Sequence, residues 1–351
     1  MNTPTDDTGY NYAGGGTAWV RLGYLRLVLA LLVVAQHALL FQPGWPSILV
    51  IPDHFGGKSA VVCFLVVSGF SIAASLERRR ADFFWRRALR VYPVYVLALA
   101  ATAVLERLCD GLYVAPHLRF EGEGWVTLIG NAFFLQTFLV KPVSFDRPVW
   151  SLAVEVSYYA LAPLLVSFRP GWVLLLMTCS ALSFLLPKHI DLGIAYHVFS
   201  KFNALNYLWP WLLGVVLWQQ RARLEFKKGK ILLVLIALAA GLIQIAPATR
   251  DSYGAITLII TTACIWPWKH RRFGSIVTRA GAIAGDMSYA VYLLNLPLLI
   301  ALGRIGYADN LPVVMLAVLG CSYLVIIVWE PGARWLMERL RTNVRLDASV
   351  S

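Results

Sequence analysis

Two ionisable side chains, Arg26 and His37, stand in the first long apolar stretch of the sequence. A titratable group inside a membrane span is costly, which makes each a candidate functional residue. Eleven residues at about 100° each return both to one helix face, roughly 16 Å apart along the axis. A second apolar stretch opens Trp150-Ser151-Leu152-Ala153-Val154-Glu155 and carries a carboxylate. A carboxylate beside a histidine fixes its tautomer and stabilises the imidazolium that forms when it takes a proton. Such a pair suits general-base activation of a hydroxyl. We therefore expect His37 to act as a base with Glu155 as its partner. The structural alternatives are a satisfied buried histidine and an interhelical polar clamp, and for Arg26 a snorkelling anchor.

A third candidate is the run Arg86-Arg87-Ala88-Leu89-Arg90-Val91-Tyr92-Pro93. On a helix the spacings of three and four cluster Arg86, Arg87 and Arg90. Guanidinium groups recognise phosphates through forked hydrogen bonds. The alternative is ordinary positive charge at a membrane boundary. Ser68-Gly69-Phe70 offers small residues for close helix approach, or room for a threaded ligand. Asp286, Ser288, Tyr289 and Asn295 add polar groups to a late apolar run, where Asn295 bonds either a ligand or a neighbouring helix.

The elements that must hold these groups are membrane helices. The 351 residues are 59% hydrophobic and only 14% charged, against about 45–50% and 25% in soluble domains. The apolar residues come in long uncharged runs, and runs of about 18 or more read as spans. Candidates fall near 23–42, 59–77, 91–106, 125–140, 150–167, 171–187, 204–219, 231–247, 253–268, 284–303 and 312–329. Basic loops at 77–90, 220–230 and 268–283 and the tail after Pro331 should share the cytoplasmic side. Five candidates separate the first two loops, an odd number, so one of them cannot cross. The 125–140 segment is short and holds Asn131 and Gln136, and we read it as a re-entrant or interfacial helix. The fold expected is an all-α polytopic membrane protein with about ten transmembrane helices and both termini cytoplasmic. That arrangement puts 22 of the 31 Lys and Arg inside.

His37 and Glu155 then each lie about five residues below the outer surface, roughly 7 Å deep. Residues 1–20 read as a disordered polar N-terminus, 21–332 as the membrane domain and 333–351 as a basic amphipathic tail. The net charge of +12 reflects cytoplasmic loops rather than nucleic-acid binding. The five cysteines are scattered without metal-ligand spacing, so no metal site and no resident cofactor are expected.

Together these residues resemble the acyltransferase 3 family of membrane acyltransferases. In order, the chain shows Arg26 and His37 with ten residues between them, FLVVSGF, RRALRVYP, WSLAVE followed by Tyr158-Tyr159, SYAVYLLN, and Glu330-Pro331. It departs at Asn295, where family members often carry His. The resemblance implies an acyl-CoA donor, most often acetyl-CoA, and a carbohydrate hydroxyl as acceptor, in a bacterial inner membrane. It places Arg26, Ser68, Arg86, Arg87, Arg90 and Tyr92 with the donor. Trp150, Ser151, Tyr159 and Asn295 fall with the acceptor. The competing reading is a non-enzymatic carrier or flippase for a lipid-linked sugar, which would need no acyl-CoA.

Overall fold

Long apolar sequences have no water to satisfy their backbone inside a bilayer, so they close their hydrogen bonds within helices. The computed structural model follows that rule, and it describes residues 17–41, 57–109, 113–115, 118–119, 124–189, 203–221, 259–262, 265 and 273–350. The helices are α1 (Thr17–Phe41), α2 (Gly57–Arg78), α3 (Phe83–Cys109), α4 (Trp125–Ala132), α5 (Val149–Leu165), α6 (Pro170–His189), α7 (Asn203–Asn206), α8 (Leu208–Gln219), α9 (Ser275–Arg304), α10 (Leu311–Leu324) and α11 (Glu330–Val350). A π turn, Val325–Trp329, joins α10 to α11. One small hairpin interrupts the helices, with Tyr113–Ala115 antiparallel to Leu118–Arg119.

The chain is a helical membrane protein. Among the described residues five helices are long and apolar enough to cross a bilayer: Trp19–Leu39, Ser59–Arg78, Phe83–Leu108, Ser275–Arg304 and Leu311–Thr342. Val149–Leu165 and Pro170–Phe184 are shorter apolar helices. The expected spans at 231–247 and most of 253–268, the basic loop at Lys227 and Lys228, and the N-terminal segment 1–16 lie outside the described residues.

The 125–140 segment holds the eight-residue α4, about 12 Å of helix against a hydrocarbon core of about 30 Å. It then turns back, with Phe134 and Thr137 at φ 57° and 71°, values uncommon for residues other than glycine. Side-chain bonds hold this turn. Tyr95 donates to Asn131 O at 2.6 Å, and Gln136 Nε2 donates to Val149 O at 3.1 Å. The Phe134 ring stacks on Tyr95 at 4.6 Å. The start of α5 is therefore sunk beneath the turn, with Val149 1% exposed.

Two glycine contacts set the helix spacing. A Cβ on Gly69 would stand 1.9 Å from Trp211 O, and one on Gly214 would stand 2.0 Å from Val66 O, so α2 and α8 touch backbone to backbone. A Cβ on Gly23 would stand 2.0 Å from Gly281 O. Farther along the same pair, Phe41 lies against Gly303, so α1 and α9 run in the same direction. The SGF motif thus serves helix approach at Gly69. Gly69→Leu should push α2 from α8, since overpacking typically costs about 1–3 kcal/mol and the obstacle here is backbone. A lowered melting temperature of the purified protein in detergent is expected. A melting temperature equal to wild type would mean the two helices do not meet there.

Candidate active site

The parallel docking of α1 on α9 brings His37 to Asn295, with Nδ1 2.6 Å from Oδ1. One turn along α9, the Tyr292 hydroxyl lies 2.6 Å from Ser151 Oγ and donates to Pro148 O at 3.1 Å. Below that level a pocket of about 50 Å³ opens between α1, α2, α5 and α9. Arg26, Ser68, Ser151, Glu155, Ser288, Tyr289 and Tyr292 supply its polar lining, and Val61, Phe64, Leu65 and Leu152 its apolar wall.

These contacts give relative depths. Asn295 to Tyr292 is three residues and Ser151 to Glu155 is four. At 1.5 Å each, Glu155 lies roughly 10 Å from the His37 level, toward Arg26. The expected His37–Glu155 pair is therefore not formed. Glu155 Oε1 instead accepts from the Tyr159 hydroxyl at 2.5 Å, and Asn295 takes the place beside the imidazole. Counting residues from the membrane surface misplaced Glu155 because the α5 start is buried under the turn that follows α4.

The three arginines also separate. Arg87 turns inward and is 7% exposed. Its Nη2 donates to Ser75 Oγ at 2.9 Å, and its guanidinium lies 6.0 Å from the Tyr159 ring centre. No carboxylate lies within salt-bridge distance of Arg87 among the described residues, and its Nε has no hydrogen-bond partner there. Arg86 donates to Ala81 O and to Arg79 O, and it lines a separate groove with Arg79, Trp85 and Arg341. Arg90 acts electrostatically on Glu330 and Tyr289. Tyr92, expected with the arginines, faces the re-entrant turn and donates to Ala132 O at 3.1 Å. Trp150 packs its ring on Tyr207 at 5.1 Å. Arg26, Ser68, Ser151 and Glu155 thus share one pocket. Tyr159 and Arg87 lie beyond Glu155, and His37 and Asn295 lie at the other end.

Sequence reasoning carried Tyr292 only inside the SYAVYLLN match, without a role, and missed Asp146. Tyr292 falls three residues after Tyr289, a helical spacing that puts both on one face. Asp146 stands outside every apolar run, so nothing in the sequence flagged it as buried. It is 1% exposed, and neither carboxylate oxygen has a hydrogen-bond partner among the described residues. Burial pushes its carboxyl well above the usual carboxylate range. A raised folded pKa means that stability is lost as pH rises from the unfolded carboxylate range toward the folded value. Asp146→Asn, which cannot ionise, should therefore gain stability over wild type between about pH 5 and pH 8. Thermal melts at those two pH values test this, and a difference that does not grow with pH would contradict it.

Glu155 permits a second local test. Tyr159→Phe removes the hydroxyl that Glu155 accepts from. Loss of one hydrogen bond to a charged group typically costs about 1.5–3 kcal/mol. If the carboxylate must be held in the pocket, Tyr159→Phe and Glu155→Gln should each lower transfer about tenfold or more, and the double variant should be no worse than the poorer single one. Multiplying losses would show that the two side chains act separately.

These features define a polytopic helical membrane protein with a polar pocket buried in its bundle. The acyltransferase domain family model matches residues 19–329, and the chain belongs to the acyltransferase 3 family: it is an acyltransferase. It is similar to nodulation protein 10 of Rhizobium leguminosarum bv. viciae, 22% identical over 318 residues, covering 83% of this chain and 85% of the relative. It is also similar to acyltransferase MdmB of Streptomyces mycarofaciens, 31% identical over 114 residues, covering 31% of this chain and 28% of the relative. No solved structure matches the chain.

Proposed function

We propose that this acyltransferase moves an acyl group, most often acetyl, from acyl-CoA to a hydroxyl of a cell-envelope or exported carbohydrate. The observation that carries this reading is the pocket that joins Arg26, Ser68, Ser151 and Glu155 inside an apolar bundle, with His37 at one end and Arg87 beyond the other. Buried polar groups need hydrogen-bond partners. A pantetheine arm carries two amides, and the serines, Tyr289 and Glu155 can satisfy them. A buried guanidinium without a carboxylate suits a phosphate, which supports a reading with the nucleotide end of the donor near Arg87 and the thioester toward His37.

In the reaction, His37 takes the proton of the acceptor hydroxyl as its oxygen attacks the thioester carbonyl. The carbon–sulfur bond then breaks, and the imidazolium returns the proton to the CoA thiolate. The donor enters from the cytoplasm of a bacterial inner membrane, with the Arg-rich end and both termini on that side. The test is CoA release by the purified protein given acetyl-CoA and a panel of candidate glycans. Acceptor-dependent release is expected. A protein that releases no CoA from any acyl-CoA with any glycan of the panel, while binding those glycans, would favour a carrier instead.

A further inference from the structure

An imidazole can act as a base only through the nitrogen that lacks a proton, so what fixes the tautomer decides which atom reacts. His37 Nδ1 faces the side-chain oxygen of Asn295 at 2.6 Å. The orientation of that amide follows from its other contacts. Asn295 Nδ2 donates to Val291 O at 3.2 Å and to Tyr292 O. Backbone carbonyls only accept, so the amide end that meets them is the NH2 group. The end that meets His37 is then the oxygen, an acceptor. An acceptor opposite Nδ1 requires a proton on Nδ1, which leaves Nε2 with the lone pair.

Asn295 is held firmly enough to impose this. It is 0% exposed. It sits on the helix that meets α1 backbone to backbone at Gly23 and Gly281. Being neutral, it orients the ring without adding a charge beside it. We propose that Asn295 is the positioning residue that holds His37 in the Nδ1–H tautomer and so selects Nε2 as the basic atom. The effect on turnover rests on the reading of His37 as the base. The tautomer itself does not.

The experiment is nitrogen NMR of the purified full-length chain with labelled histidine in lipid nanodiscs. The signal lost in His37→Ala identifies this one among the six histidines. In wild type, His37 should show a protonated Nδ1 and a bare Nε2. In Asn295→Leu the ring should shift toward the Nε2–H form that free imidazole favours. The kcat should then fall about 10²-fold, with KM for acetyl-CoA unchanged. Asn295→Asp keeps an acceptor at the same place, so it should keep the Nδ1–H form and recover most of the activity. A wild-type His37 protonated on Nε2, or a tautomer unmoved in Asn295→Leu, overturns the assignment. If the tautomer behaves as expected but His37→Ala still turns over normally, the role of Asn295 in setting the tautomer stands and His37 as base fails.

Discussion

His37→Ala is expected to lower acyl transfer by about 10²–10⁴-fold, the range that a positioned general base contributes. The loss should fall on kcat, because the imidazole acts on the acceptor proton. The protein itself should still insert and accumulate. Among the described residues the His37 side chain hydrogen-bonds Asn295, and the α1–α9 interface rests on the Gly23–Gly281 approach one end of the helix away. The check is steady-state transfer by the purified variant, with its elution profile compared to wild type. Transfer at the wild-type rate by a well-folded His37→Ala would remove the histidine from the chemistry.

Arg87→Gln is expected to raise KM for acyl-CoA by about 10–10²-fold, since a hydrogen bond to a charged group is worth about 1.5–3 kcal/mol. Arg87→Lys should restore part of this, because an ammonium supplies charge without the fork. A structural role predicts a different outcome. Removing one partner of a buried ion pair is strongly destabilising, but Arg87 has no carboxylate within salt-bridge distance among the described residues. The empty Arg87→Gln protein should therefore melt only slightly lower than wild type, by the loss of the Ser75 hydrogen bond, while added acyl-CoA should raise its melting temperature less. A variant that melts far below wild type without ligand would mean the arginine supports the fold instead.

The sequence disclosed which side chains are costly inside a membrane more readily than whom they meet. Apolar runs with isolated polar residues identified Arg26, His37 and Glu155 because each is costly in a span, and two of the three line one pocket. Partners were legible only where they were local. Glu155 and Tyr159 are four residues apart and share a helix face, and they bond. His37 and Asn295 are 258 residues apart, and their meeting depends on a glycine contact between two helices whose docking no local pattern reveals. Depth failed for a related reason. A residue count assumes that a helix starts at the membrane surface, whereas α5 starts beneath a turn pinned by Tyr95 and Gln136. The arginine spacing was read correctly as helical, but the side chains diverge because each finds a different neighbour: Ser75, the carbonyls of Ala81 and Arg79, and the surroundings of Glu330.

In the proposed reaction one donor reaches from an anion site at Arg87 through the pocket toward a base at His37. Calorimetric titration of acyl-CoA into wild type, Arg87→Gln and His37→Ala, prepared alike, tests it most directly. A loss of affinity of about 10–10²-fold is expected in Arg87→Gln, and nearly unchanged affinity in His37→Ala, although the latter should turn over poorly. Unchanged affinity in Arg87→Gln, or an equal loss in His37→Ala, would contradict it.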